Sequence, residues 1–242
     1  MTRRLLGAGR IAEVFEDGEA VLKLYAPGTG LEHCRHEAMV LDAIRHIPLR
    51  VPASLGIVEI DGRWGLRMSR IAGTPLGAGG DAALSPGLLD TLASLQLKVL
   101  ANTVQGLPRL KQRLKDRIMA APALADPERS RLLDRLAELP DGDSLCHGDF
   151  HPLNIIADGD DLGIVDWLDA SSGPAEADIA RTCLLVRLHM PEAVELYLDA
   201  IVHNGGPARA AILAWLPLVA AARLAENVAG ESERLLEISR LA

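Results

Sequence analysis

This sequence predicts an α+β fold in two parts, a small strand-rich lobe followed by a larger helical one. Three observations carry that expectation. Residues 1 to about 68 alternate short apolar runs with glycine turns and hold one helical stretch. From residue 88 onward, apolar residues recur at helical spacing in long segments. Between them, Thr74 to Gly87 is rich in Gly, Pro and Ala and reads as a flexible connection. The expected division is 1–72 and 73–242.

In the first part, Leu5 to Phe15 reads as a strand, a glycine turn and a returning strand. Gly7 and Gly9 in that turn would let the backbone approach phosphate groups that a side chain would block. Val21-Leu-Lys-Leu-Tyr25 is an alternating strand carrying Lys23, and Leu31 to Ile47 a helix carrying Glu37. Arg63 to Gly73 is a strand that runs toward the connection.

The second part begins with helices over Leu88–Val104, Leu110–Ala120 and Pro127–Glu138. The charges of Arg109 to Arg117 spread around their helix and read as a solvated face. Ile155-Ile156 and Ile164-Val165 flank Asp158-Gly-Asp-Asp161, the pattern of two strands joined by a tight turn. Helical periodicity resumes over Ala177–His189, Glu192–Val202, Arg209–Leu224 and Glu231–Leu241. The apolar run Ala210 to Ala222 falls short of the roughly 20 residues a membrane span needs, so it reads as a buried helix bent at Pro217.

Composition narrows the function classes. Aromatic residues make up only 3%, which leaves no stacking platform for single-stranded nucleic acid. Net charge is -8, and the excess is uneven: residues 75–242 hold fifteen Lys/Arg against twenty-four Asp/Glu, whereas 1–74 are nearly balanced. That argues against nucleic acid or an acidic membrane as partner and mildly favours a cationic substrate. Cys34, Cys146 and Cys183 form neither metal-ligand spacing nor an even disulfide framework, which fits a reducing cytoplasm. Arg3-Arg4 is not followed by the apolar stretch of a signal peptide.

The most informative stretch is Leu145-Cys-His-Gly-Asp-Phe-His-Pro-Leu-Asn-Ile-Ile156, followed by Ile164-Val-Asp-Trp-Leu168. Asp149 and Asn154 lie five positions apart and Asp166 follows twelve residues later. A carboxylate, an amide and a second carboxylate at this spacing suit magnesium-dependent phosphoryl transfer. Folding of the hairpin would bring Asn154 and Asp166 near one metal ion and leave Asp149 to face an acceptor hydroxyl.

His147-Gly-Asp149, Asn154 and Asp166-Trp167 resemble the catalytic-loop and metal-loop motifs of the aminoglycoside phosphotransferase and choline kinase families. These are small-molecule kinases with a bilobal protein-kinase-like fold. Gly7 and Gly9 fit the same pattern, with Ala12 where protein kinases carry a third glycine. The resemblance implies that Lys23 holds the nucleotide's α- and β-phosphates and that Glu37 orients Lys23 by an ion pair. It also implies that the backbone of Ser69 to Ile71 pairs with the nucleotide base, with Met68 behind it. Asp178 matches the helix aspartate that braces the catalytic loop, and His147 is expected to pack and hydrogen-bond that loop.

By this resemblance the protein is a phosphotransferase that moves the γ-phosphoryl group of ATP or GTP, with Mg2+, to a hydroxyl of a small acceptor. The acceptor would be an aminoglycoside or other antibiotic, or else an amino alcohol or sugar. Asp169, Glu176, Glu226 and Glu231 are acids that could face an amine, and Ala220 to Asn227 could present Arg223, Glu226 and Asn227 toward the cleft. A silent nucleotide-binding regulator on the same fold is the rival from another class. A protein kinase fits less well, because His-Gly-Asp replaces His-Arg-Asp and the Asp166–Asp178 segment is short for an activation loop. The chain is expected to be a monomer or homodimer.

Overall fold

The structure, a computed structural model, describes residues 3–78 and 85–241. The expected connection from Thr74 to Gly87 therefore lies partly outside the described residues. In chain order the first elements are β1 (Leu5–Ala8), β2 (Ala12–Asp17), β3 (Ala20–Tyr25), α1 (Leu31–Ile44), β4 (Ser54–Ile60), β5 (Arg63–Ser69) and β6 (Thr74–Pro75). Helices α2 (Pro86–Leu100), α3 (Leu110–Ala120) and α4 (Asp126–Glu138) follow. Next come β7 (Ser144–Cys146), β8 (Ile155–Asp158), β9 (Asp161–Ile164) and β10 (Ser171–Gly173). The chain continues through α5 (Ala175–His189), α6 (Val194–His203), α7 (Arg209–Leu213), α8 (Leu216–Arg223) and α9 (Ser232–Ser239).

These elements form two compact units, Met1–Ala78 with Leu153–Leu168, and Gly79–Pro152 with Asp169–Ala242. The hairpin of β8 and β9 thus groups with the amino-terminal strands, although sequence order alone places it in the second part. Its membership follows from hydrogen bonding: β8 pairs with β6 on one side and β9 on the other, and Arg50 bridges to Gly163. The turn falls at Asp158 to Asp161, where Gly159 adopts φ +61°, a conformation that favours glycine.

The first unit is built on an antiparallel sheet of order β1-β2-β3-β5-β4. Lys23 sits on the central strand, paired with Val14 on one side and Leu66 on the other. Helix α1 lies against β4 and β5 and buries Val40, Leu41 and Ile44 together with Leu22 and Leu66 of the sheet. Each such side chain contributes about 1.5–3 kcal/mol when removed from water, enough to hold the polar cluster beside it in place.

The second unit is helical around α5, which is buried nearly all round, as expected of a central helix. It packs on α6, α7 and α8, while α3 and α9 both lie against α8. The two-stranded pair β7–β10 places Cys146 opposite Ser171 and so fixes the start of the following loop. Cys34, Cys146 and Cys183 are buried free thiols. Among the described residues no helix is long and apolar enough to cross a membrane.

One helix expectation is corrected. Arg209 to Leu224 is not a single bent helix but α7, a break at Ala214–Trp215, and α8. Pro217 lacks an N–H and its ring collides with the carbonyl four residues back, so the helix stops at Leu213 and restarts with Pro217 in its first turn.

Candidate functional site

In the first unit the site is organised by Lys23. Its Nζ donates to Glu37 Oε1 at 2.9 Å and to Asp166 Oδ1 at 2.7 Å. The Tyr25 hydroxyl also donates to Glu37, on the other carboxylate oxygen. Lys23 and Glu37 are buried, whereas the side chain of Asp166 is 46% exposed. Burial alone would lower the Lys23 pKa, but the charges of Glu37 and Asp166 outweigh it and raise the ammonium above its ordinary value. Burial and Glu37 together push the Tyr25 phenol up, so it stays a neutral donor.

Asp166 reaches this position through an unusual backbone. Its φ is +63°, which costs a non-glycine residue energy, although aspartate tolerates it better than most. Trp167 beside it is wholly buried and donates its indole N–H to Ile164 O at 2.9 Å. His36 Nε2 lies 3.1 Å from Leu168 O. The turn is thus held from both sides while the carboxylate stays accessible. Asn154, buried at the end of a 3-10 turn, accepts the Val165 N–H on its carbonyl at 2.9 Å, one residue before Asp166.

Gly7 and Gly9 flank the β1–β2 turn, which is closed by the Gly9 N–H donating to Ala12 O at 2.8 Å. An added Cβ would meet nothing within 4 Å at Gly7, and only Ala12 O, at 3.6 Å, at Gly9. The fold itself therefore does not require glycine at either position.

Ser69, expected to offer its backbone to the nucleotide base, spends its N–H and hydroxyl on Ala53. Its N–H donates to Ala53 O at 2.9 Å and its hydroxyl accepts the Ala53 N–H at 2.8 Å. That amide is committed to the end of the sheet. Ile71 packs its side chain over Gly163.

In the second unit the loop after β7 presents Asp149. Gly148 has φ +83°, and a Cβ there would lie 2.5 Å from Asp169 O, so only glycine fits. Its N–H donates to Asp178 Oδ1 at 2.7 Å. Asp178 is in turn held by Gln96 Nε2 at 2.9 Å, and Thr182 donates to Phe150 O at 3.0 Å. Helix α5 thereby braces the loop at both ends, as the Asp178 pattern implied. Burial pushes the Asp178 carboxyl upward against the hydrogen bonds it accepts. His147 is buried and packs edge-on against Phe150, which agrees with a packing role.

Asp149 faces His151, whose Nε2 is 3.3 Å from Oδ2, and Arg181, whose guanidinium is 3.4 Å from Oδ1. Burial would raise its carboxyl. The His151 hydrogen bond and the charges of Arg181, His151 and His147 override that and hold it well below the usual carboxylate range. Arg181 also donates to Gly148 O at 3.2 Å and to Glu226 at 2.9 Å.

Several of these groups were not found in the sequence. Arg181 lies three residues after Asp178 and so shares its helix face, and that spacing is the sequence signal for it. Arg113 and Arg117, expected on a solvated face, instead both donate to Asp169. Their i, i+4 spacing beside buried Leu114 and Ile118 marks a packed face. Of the acids expected to face an amine, Asp169, Glu226 and Glu231 are each paired with arginine. Arg223 and Glu226 do belong to this cluster, whereas Asn227 adopts φ +51° and closes the turn after α8.

Comparison with known proteins gives one family. Residues 4–215 match the profile of the phosphotransferase enzyme family, APH. Among solved structures, the apo form of a thermostable mutant of the aminoglycoside phosphotransferase APH(4)-Ia is similar at 17% identity and TM-score 0.71, covering 100% of this chain and 94% of that one. An amicoumacin kinase in complex with AMP-PNP, Ca2+ and its ligand is similar at 13% identity and TM-score 0.71, covering 98% and 86%. An aminoglycoside phosphotransferase from Streptomyces rimosus is similar at 18% identity and TM-score 0.64, covering 91% and 92%. No curated protein matches by sequence.

Proposed function

The chain belongs to the phosphotransferase enzyme family, and we propose that this small-molecule phosphotransferase moves the γ-phosphoryl group of ATP or GTP to a hydroxyl of its acceptor. One observation carries the reading: Lys23 is shared between Glu37, fourteen residues away, and Asp166, 143 residues away. That arrangement suits a lysine kept charged and aimed for phosphate oxygens.

The donor set near Lys23 fits magnesium. Asp166 offers an accessible carboxylate and Asn154 an amide oxygen, both hard ligands, and Mg2+ is commonly held by one or two such groups plus substrate phosphates. Bound there, the ion would neutralise charge on the phosphates during transfer. Lys23 binds the α- and β-phosphates, and Glu37 with Tyr25 fixes its direction. Gly7 and Gly9 leave the turn without side chains, so a phosphate can approach its backbone closely, which accounts for glycine where the fold makes no demand for it. With the Ser69 amide committed, base pairing falls to the backbone of residues 70–72.

Asp149 positions the acceptor hydroxyl. Its depressed pKa makes it a weak base, so it takes the proton late, after bond formation to phosphorus is advanced. Orientation and electrostatics then supply most of the rate. The test is coupled ADP release with ATP and then GTP across aminoglycosides, other hydroxylated antibiotics, amino alcohols and sugars. Acceptor-dependent release that disappears in Asp149→Asn supports the proposal. Undiminished release in that variant overturns the assignment of Asp149.

A further inference from the structure

Two side chains of α5, one turn apart, grip the backbone of Gly148 on both sides. Asp178 Oδ1 accepts its N–H at 2.7 Å, and Arg181 Nε donates to its carbonyl at 3.2 Å. The same guanidinium extends to the next side chain, with Nη2 3.4 Å from Asp149 Oδ1. Arg181 is itself set by Glu226, whose Oε1 accepts from Nη2 at 2.9 Å, the shortest of these three bonds. Glu226 is fixed in turn. Its Oε2 accepts from Arg223 Nη1 at 3.1 Å, and Arg223 lies two-pronged on Glu231 at 2.5 and 2.8 Å.

Two arginines in one cluster thus use their forks differently. Arg223 spends two N–H groups on one carboxylate, the arrangement that makes a strong, closed ion pair. Arg181 divides its fork among a carbonyl, Glu226 and Asp149, and gives Asp149 the longest contact. That contact exceeds the usual range of about 2.7–3.2 Å, so it orients the carboxylate without closing a two-bond pair on it. A buried guanidinium needs a carboxylate for charge balance, and Glu226 supplies one. Reaching both the backbone of residue 148 and the side chain of residue 149 adds something else: it fixes the direction in which Asp149 leaves its loop.

We propose that Arg181 is a positioning residue for phosphoryl transfer, held by Glu226 so that the Asp149 carboxylate meets the acceptor hydroxyl in one orientation. The inference rests on the small-molecule phosphotransferase reading and adds two residues to it, both acting through Asp149.

Steady-state ADP release at saturating magnesium-ATP, with the fastest acceptor of the panel, tests it in variants of the full chain. Arg181→Gln should lower kcat by roughly 10²-fold, the scale of a misplacement of about an ångström. The acceptor KM and the calorimetric affinity for magnesium-ADP should stay within a few-fold. Arg181→Lys, which keeps the charge and loses the fork, should recover part of the rate. Glu226→Gln should lower kcat by less, and the double variant should be no slower than Arg181→Gln alone, because Glu226 acts through Arg181. Arg209→Gln, which breaks exposed pairs with Glu195 and Asp199, should leave kcat intact. Where Arg181→Gln does not fold, Arg181→Lys and Glu226→Gln carry the same prediction. The carboxyl-carbon resonance of Asp149, assigned by its loss in Asp149→Asn, reads the contact without turnover. It should shift in Arg181→Gln and in Glu226→Gln, and stay in place in Arg209→Gln.

Three results overturn the inference: a kcat within about twofold of the parent in Arg181→Gln, a loss that falls on KM or magnesium-ADP affinity instead, or losses that multiply in the double variant. The two readings fail separately. Acceptor-dependent ADP release that ignores Arg181 and Glu226 retains the phosphotransferase and removes the positioning role. A carboxyl resonance that answers to both residues, in a protein that phosphorylates no acceptor, removes the phosphotransferase while the coupling of Glu226 to Asp149 stands.

Discussion

The two units of this protein treat buried charge in opposite ways. In the first, one lysine is held by two carboxylates, Glu37 and Asp166, so the cluster is left with surplus negative charge and an accessible acid. In the second, arginines and acids are matched: Asp169 holds Arg113 and Arg117, Asp149 and Glu226 hold Arg181, and Glu226 and Glu231 hold Arg223. A surplus carboxylate suits a metal ion with its nucleotide, and a matched set of charges suits holding one carboxylate, Asp149, in place. The first cluster is therefore incomplete in the sense its proposed ligand would correct, and the second is closed on itself.

The comparison can be broken most severely at Asp149. Asp149→Asn should lower turnover in the ADP-release assay by roughly 10²–10⁴-fold, with nucleotide affinity changed only a few-fold. Asp166→Asn should instead weaken both turnover and magnesium-dependent nucleotide binding, because its carboxylate belongs to the first cluster.

Next in size is the loss of a buried partner. Lys23→Met leaves Glu37 buried without its cation and should cost about 3–5 kcal/mol in urea unfolding. Adding Glu37→Gln should return part of that loss. If the single variant is as stable as the parent, the pair does not organise the first unit.

Gly148→Ala should destabilise by about 1–3 kcal/mol, since alanine must adopt a positive φ and its Cβ would press on the Asp169 carbonyl. Thermal unfolding checks the stability. A matching loss of turnover would follow from displacement of Asp149.

Arg181→Ala sharpens the second cluster through pH. Asp149 is depressed in the folded protein, so its ionised form is fully present above the unfolded carboxylate range and is lost only as pH falls through its lower folded pKa. Removing Arg181 takes away one of the charges that oppose burial, so the folded pKa rises. The acid limb of the kcat profile should then move to higher pH. An unmoved limb would show that His151 and His147 suffice.

The smallest expected effect is at the glycine turn. Gly7→Ala and Gly9→Ala should change stability by less than about 1 kcal/mol, given the open space around both. Nucleotide affinity should nevertheless fall, because the methyl group would stand where phosphate approaches. Loss of stability without loss of affinity would return these glycines to a purely structural role.

Local order in the sequence was enough for the β8–β9 hairpin, the Lys23 strand and the Glu37 helix, each announced by periodicity and turn residues over a few positions. The pairing of Lys23 with Glu37 came from the family resemblance and not from local order, and the structure shows it at 2.9 Å. Local order was not enough for β6, two residues long, or for the break before Pro217, where apolar periodicity runs across a helix boundary without a change of pattern. Nor did it reveal that Ser69 spends its amide on Ala53, a choice made by where β5 ends.

The sequence by itself determined the order of the residues proposed for phosphate, metal and proton along the chain. Only the tertiary structure decided what surrounds Asp149. Arg113 and Arg117 meet Asp169 across 56 and 52 residues, and Arg181 meets Glu226 across 45. Those meetings depend on how α3, α5 and α8 pack, which is set by the apolar faces buried between them and not by the spacing of the charges. A run of arginines on a helix looks the same in sequence whether it faces water or a carboxylate, because burial is a property of the neighbours that folding supplies.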